Sequence, residues 1–220
     1  VNELLLEIKN LSFKYGNNYI LKDVNFNVYR GDYIALIGSN GAGKSTFVKL
    51  ILNQLKPNKG EIDFRQNMKY SEIGYVPQLD TSKNLEFPIT VFELVSLALF
   101  SKDKRGFNRL SNDDKNKINE ALNLVKMTDY HKNLYSELSG GQRQRVLIAK
   151  TLVSTPKFLI LDEPMTGIDK ESKEALFELL NHINKDHGVT ILMITHDLEE
   201  VRKNVNKIFI VEEHKIKEVK

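Results

Sequence analysis

Apolar residues in the first third of the chain recur at every second position. Leu4, Leu6 and Ile8 form one run, Leu11, Phe13 and Tyr15 a second, and Val24, Phe26 and Val28 a third. A period of two predicts strands of an antiparallel sheet with one buried face. Tyr33-Ile34-Ala35-Leu36-Ile37 is apolar without interruption, as in a parallel strand covered on both faces. Gly38 to Gly43 follows as a glycine-rich turn. A helix then begins, its stripe formed by Phe47, Leu50, Ile51 and Leu55, with Pro57 and Gly60 closing the unit.

The same alternation returns near the end of the chain. Phe158–Leu161 and Val189–Ile194 read as buried strands, each followed by a helix. The first of these helices starts at about Lys170, with Ala175, Leu176, Leu179, Leu180 and Ile183 on one face. Ile208–Val211 and Ile216–Val219 form a last strand pair. Strand–helix alternation predicts an α/β fold with a mostly parallel sheet and an antiparallel β part from the N-terminal runs. Residues from about 80 to 155 carry helical periodicity near 90–100, 112–127 and 141–153, with no convincing buried strand. They are expected to form a helical subdomain inserted into a core of about 1–79 and 156–220.

Composition narrows the function classes. A chain of 220 residues suits one such α/β domain. With no cysteine, neither a disulfide framework nor a thiolate metal site is available. A net charge of +3 is too small to argue for nucleic acid, so none is expected as a partner. The start, Val1-Asn2-Glu3, has no basic region leading into an apolar run, so no secretory signal is expected. The densest apolar stretch, Val91–Phe100, is broken by Glu93 and Ser96 and is too short to span a membrane. Work at a membrane would need a partner that crosses it.

Three segments carry chemistry. Gly38-Ser39-Asn40-Gly41-Ala42-Gly43-Lys44-Ser45-Thr46 matches the P-loop pattern, between a buried strand and a helix. Glycines let backbone N–H groups converge on phosphate oxygens, and the helix start adds partial positive charge. Lys44 suits the β- and γ-phosphates of ATP, and the Ser45 hydroxyl suits Mg²⁺. Asp162 and Glu163 end the Phe158–Leu161 strand, where α/β sheets bind ligands. Asp162 suits the Mg²⁺ shell and Glu163 a base acting on water. Ser139-Gly140-Gly141-Gln142 reads locally as a capping box opening a helix, and the same hydroxyl, amides and dipole make an anion site.

With these motifs in order, the chain resembles an ABC-type ATPase over nearly its whole length, a P-loop NTPase core with an inserted helical subdomain. Four further positions support the resemblance. Tyr15-Gly16 looks like the aromatic loop that stacks on adenine. Gln78, in Tyr75-Val76-Pro77-Gln78, looks like the glutamine that senses Mg²⁺ and the transmembrane partner. Thr166-Gly167-Ile168-Asp169 looks like the loop at the dimer seam, and His196 like the switch histidine facing the γ-phosphate. Asp197 and Glu200 form a further capping box, so Asp197 stays outside the expected site. Met165 departs from the serine or threonine often found after the proline. His131, His182, His187 and His214 are scattered without metal-ligand spacing.

The resemblance implies ATP and Mg²⁺ as ligands, with Lys44, Gln78, Glu163 and His196 as catalytic residues. It implies a homodimer in the ATP state, the Ser139–Gln142 segment of one subunit covering the ATP held by the other. It further implies integral membrane permease subunits, a separate substrate-binding protein and a place on the cytoplasmic face of a bacterial membrane. Phe87–Val95 and Leu161–Asp169 are similar to the corresponding stretches of zinc and manganese importer ATPases. The same motifs are compatible with an iron-siderophore or cobalamin importer, an exporter, or a soluble ABC protein without a membrane partner.

Overall fold

The computed structural model describes residues 3–65, 67–79, 88–100 and 110–220, with the Glu200 side chain excepted. The chain forms two compact units. The first holds Val1–Pro77, Lys157–Pro164 and Asn181–Lys220, and the second holds Gln78–Pro156 and Met165–Leu180. Phe87, the first residue of the importer-like stretch, lies outside the described residues.

In the first unit, β1 (Leu4–Tyr15), β2 (Asn18–Tyr29) and β4 (Lys59–Phe64) form an antiparallel sheet in the order β2-β1-β4. The alternation of β1 changes phase after Ile8, and there the strand bulges. The register shifts between Ile8 and Leu11, and Asn10 takes φ of 49°. The extra residue returns Leu11 and Phe13 to the buried face.

The second sheet runs β5-β6-β7-β3-β8-β9, comprising β3 (Tyr33–Ile37), β5 (Ile73–Val76), β6 (Phe158–Asp162), β7 (Thr190–Thr195), β8 (Lys207–Glu212) and β9 (Lys215–Glu218). All its pairings are parallel except β8 with β9. Every residue of β3 and of β7 is buried, as uninterrupted apolar runs require.

Helix α1 (Lys44–Ile51) packs Phe47, Leu50 and Ile51 into the core between the two sheets, against Leu6, Ile8, Phe26 and Leu36. The ring of Phe26 meets Phe47 edge-on at 5.1 Å and tilts on Phe209 at 4.6 Å. The helix stops short of Leu55, the last residue of the expected stripe. Asn53 turns left-handed at φ 55°, and the amides of Asn53 and Gln54 return to the carbonyls of Leu50 and Lys49. That is a Schellman closure with Asn in the place glycine usually takes.

The second unit is helical. It contains α2 (Val91–Phe100), α3 (Asn112–Leu124) and α4 (Gly140–Leu152). Their buried faces carry Val91, Leu94 and Val95, then Ile118, Ala121 and Leu122, then Val146, Ile148, Ala149 and Leu152. α3 starts on a capping box in which Ser111 and Asp114 bond each other's backbone amides. Helix α5 (Lys170–Lys185) begins in this unit and ends in the first, and α6 (Leu198–Val201) follows β7.

Two strands escape the sequence reading, β4 and β5. In β4, Lys59, Gly60 and Glu61 are exposed, and Ile62, Asp63 and Phe64 are all half-buried. β5 has four residues at a sheet edge. Neither is long or apolar enough to leave a clear period.

Candidate functional site

The site in the first unit is built where β3, β7 and β6, three neighbours in the sheet, reach their C-terminal ends. Ile37 pairs with Thr195, and Asp162 with Ile194. The glycine-rich loop therefore follows β3, His196 follows β7, and Glu163 follows β6. The parallel register aligns the three strand ends, and neighbouring strands lie about 4.8 Å apart.

Gly38 leaves β3 with φ of 154°. A Cβ there would lie 2.8 Å from the backbone oxygen of Val211 on β8, so the loop can leave the sheet this way only as glycine. Lys44 is buried, and its ammonium donates to the carbonyls of Gly38 at 2.7 Å and Ser39 at 3.0 Å. The amine is thus held against the inside of the loop at the start of α1. No side chain caps that helix start, so its first-turn amides remain available for an anion. Ser39, Asn40, Gly41 and Ser45 are exposed, and Ala42 and Thr46 are half-buried.

A recess of about 330 Å³ borders the loop, walled by Ile20, Ser39, Gly41, Ala42 and Val211. Its aromatic wall is Tyr19, a residue absent from the expected set, rather than Tyr15. The Tyr15 ring is 51% exposed and packs edge-on against Phe13 at 4.9 Å. Lys14 and Lys22 sit over the Tyr19 ring at 4.8 and 5.5 Å.

At the end of β6, Asp162 is half-buried and its Oδ2 accepts the Tyr75 hydroxyl at 3.2 Å. Burial pushes the Asp162 carboxyl above its ordinary value, the Tyr75 bond opposes this, and Lys44 and Lys49 also pull it down. Tyr75 is pushed up to about 12, chiefly by burial and then by the neighbouring Asp162 charge. Sequence reasoning noted Tyr75 only as a neighbour of Gln78, because nothing local announces its contact with Asp162.

Glu163 turns left-handed, with φ of 45°. Its amide donates to the Ile194 carbonyl at 2.9 Å, and its Oε2 lies 3.2 Å from His196 Nδ1. The left-handed turn is rare for a non-glycine residue, and it brings the carboxylate to the histidine one strand away. Asp197 turns to backbone work. Its Oδ1 accepts the Glu199 amide at 3.1 Å, while Glu200, its expected capping partner, has its side chain outside the described set.

The second unit holds Gln78, which is exposed, and joins two other expected segments. Ser139 caps α4 by accepting the Gln142 amide at 3.3 Å, and Gln142 Oε1 accepts the Ser139 amide at 2.9 Å. Gly140 lies against Gly167 and Ile168, with 3.3 Å left for a Cβ. Gly141 approaches Ser172 so closely that a Cβ would sit 2.9 Å from its side chain. The Ser139–Gln142 segment and the Thr166–Asp169 loop are therefore in contact within this unit. Asp169 caps α5 through Oδ1, 2.9 Å from the Ser172 amide. Bonds from the Ser172 hydroxyl and then the Ser172 amide hold its carboxyl below the ordinary value. Met165 is buried beside this loop.

Among the described residues, no group of three or more His, Asp or Glu side chains is arranged to hold a metal ion. His182 instead bonds Asp186, just past the end of α5, at 2.5 Å. No helix among the described residues is long and apolar enough to cross a membrane.

Comparison with known proteins supplies the context. A family profile described as "ABC transporter" matches residues 21–166. The zinc uptake system ATP-binding protein ZurA of Listeria innocua is 44% identical over 216 residues, covering 94% of this chain and 82% of that protein. The high-affinity zinc uptake system ATP-binding protein ZnuC of Bacillus subtilis is 37% identical over 211 residues, covering 94% and 91%. Among solved structures, CbiO1 of Clostridium perfringens, part of the transporter complex CbiONQ, superposes with a TM-score of 0.86 at 30% identity, covering 98% and 87%. A dimeric ATP-binding cassette in a post-hydrolysis state with ADP and Pi superposes with a TM-score of 0.77 at 26% identity, covering 98% and 99%.

Proposed function

Because the chain belongs to the ABC transporter family of ATP-binding, ATP-hydrolysing domains, we propose that it powers a bacterial zinc importer as a pair of identical subunits on the cytoplasmic face of the membrane. The observation that carries the catalytic reading is the row of three strand ends, with Lys44, His196 and the Asp162–Glu163 pair side by side. Zinc as cargo rests on the two relatives cited, both named for zinc and neither for manganese.

Each residue has a task in phosphoryl transfer, which needs positioning and charge stabilisation more than covalent chemistry. Lys44 and the first-turn amides of α1 bind the ATP phosphates, the ammonium exchanging a loop carbonyl for a phosphate oxygen. Glu163 orients and polarises the attacking water. His196, bonded to Glu163 at 3.2 Å, turns to the γ-phosphate as charge develops there. The exposed ring of Tyr15 and the wall formed by Tyr19 and Ile20 receive the base.

The residues also suit Mg²⁺. Ser45, Asp162 and Gln78 offer the hard oxygen donors it prefers. A carboxyl that burial pushes up, as at Asp162, is one that a nearby cation returns to the anion. When bound, Mg²⁺ neutralises charge on the β- and γ-phosphate oxygens. Across the dimer, Ser139 and the amides of Gly140 and Gly141 close over the partner's γ-phosphate, with the Asp169 loop at the seam. The dimeric cassette with ADP and Pi supports the pairing of two subunits. A permease and a separate substrate-binding protein complete the transporter.

Radiolabelled zinc uptake in cells lacking this chain tests the whole reading. Uptake should be lost, restored by the wild-type chain and not by Glu163→Gln. Undiminished zinc uptake in the deletion strain would overturn zinc as the cargo.

A further inference from the structure

α4 buries a group that the roles above do not use. Gln144 is fully buried, and among the described residues neither its Oε1 nor its Nε2 has a hydrogen-bond partner. A buried primary amide left unbonded is destabilising, and a methionine or leucine of similar size would not carry that penalty. An unpaired amide in one conformation is expected where it is paired in another.

Helical geometry says which surface it addresses. At 100° per residue, position 144 points between positions 140 and 141. Those are the two glycines that let α4 approach its neighbours. Gly140 meets the Gly167 carbonyl and Ile168, and Gly141 meets Ser172. Gln144 therefore lies one turn below the contact between the Ser139–Gln142 segment and the Thr166–Asp169 loop. At the preceding position along the helix, the buried Nε of Arg143 lacks a hydrogen-bond partner among the described residues, while the Nη2 of the same residue donates to the Ser136 carbonyl at 2.5 Å. Arg143, about 100° around the helix from Gln144, faces the Tyr135–Ser136 segment instead; on the side where the two segments meet, Gln144 is the polar group held in reserve.

We propose that Gln144 is a positioning residue, its amide bonding the Thr166–Asp169 segment in the ATP-bound dimer and so fixing that loop to the Ser139 cap. In the conformation described the buried amide has no partner among the described residues, a cost that pairing in the closed dimer relieves. The inference rests on the reading of these two segments as parts of the dimer seam.

Gln144→Met keeps the volume and removes the amide, and Gln144→Leu serves as a second variant with different packing. Without nucleotide, at least one variant should melt several degrees above wild type, because an unbonded polar group has gone. Its hydrolysis should fall at least tenfold in kcat with KM for ATP within about threefold, the mark of an interaction made after binding. In the Glu163→Gln background, size-exclusion chromatography with ATP should show dimer formation lost or needing at least tenfold more ATP. Unchanged kcat and dimerisation in both variants would overturn the proposal. So would a fall in kcat matched by a fall in melting temperature, which would mean that the amide is merely structural. If the Glu163→Gln chain with native Gln144 forms no dimer with ATP, the dimer reading fails first and the inference falls with it.

Discussion

Replacing Gly38 by alanine tests whether the phosphate loop is shaped by a backbone only glycine tolerates. With φ at 154°, the new methyl would stand 2.8 Å from the Val211 carbonyl oxygen and 3.3 Å from its Cβ. Val211 is held in β8, paired with Ile216 of β9, so its carbonyl cannot swing aside without disturbing the sheet. Backbone strain at such a residue costs about 1–3 kcal/mol, and crowding against a fixed neighbour costs a further ~1–3 kcal/mol. The loss should be about 2–6 kcal/mol from a total that for domains is roughly 5–15 kcal/mol. Gly41→Ala separates the two contributions. Its φ is 80° and nothing lies within 4 Å of a Cβ, so only left-handed strain of about 1–2 kcal/mol applies. Urea denaturation of both variants without nucleotide, with midpoints read at equal slope, gives the comparison. Gly38→Ala as stable as Gly41→Ala would refute the close approach to β8.

Glu163→Gln should bind ATP and dimerise on it while hydrolysis falls by roughly 10²–10⁴; a monomer at saturating ATP would count against the sandwich. Tyr33→Phe removes a buried hydroxyl without a partner among the described residues and should leave the protein as stable or up to about 1 kcal/mol more so by urea denaturation; a clear loss would mean the hydroxyl is bonded. Burial raises the Asp162 pKa, so the stability this group allows is full below its unfolded pKa and declines as pH rises through the folded value. Asp162→Asn should therefore be more stable than wild type at neutral pH without nucleotide or Mg²⁺, the gap closing below about pH 4; a gap that widens in acid would reverse the assignment. Asp32 is buried with Lys207 at 2.7 Å and the Tyr29 amide at 2.8 Å. Asp32→Ala should cost about 3–5 kcal/mol in urea denaturation by stranding the lysine, and the Asp32→Ala/Lys207→Met pair less than the single change.

What the sequence announces and what it hides follow from how locally each feature is made. The phosphate loop is legible because its chemistry is its spacing. Glycines, a lysine and a hydroxyl must fall within nine consecutive residues, and β3 before them is apolar at all five positions. The Ser139–Gln142 box is legible for the same reason, since both its bonds span three residues. β4 and β5 are hidden because an edge strand with half-buried or few residues has no period to read. Tyr75 is hidden because its bond to Asp162 joins positions 87 apart, and Tyr19 because its neighbours at the recess come from the loop after β3 and from β8. Gln144 is the most instructive case. In sequence it is one polar residue among Arg143, Gln144 and Arg145 at the start of a helix, where a solvated face is the ordinary expectation. Its burial is a tertiary outcome: α4 packs within its unit, and Gly140 and Gly141 let a segment some thirty residues further on come within van der Waals range. The two glycines that make an anion site in the local reading are, in the folded chain, also what lets that segment approach the turn of α4 above the amide. A side chain at Gly141 would stand 2.9 Å from Ser172, and one at Gly140 3.3 Å from the Gly167 carbonyl, so the anion site and the close approach of the Thr166–Asp169 segment depend on the same two missing side chains.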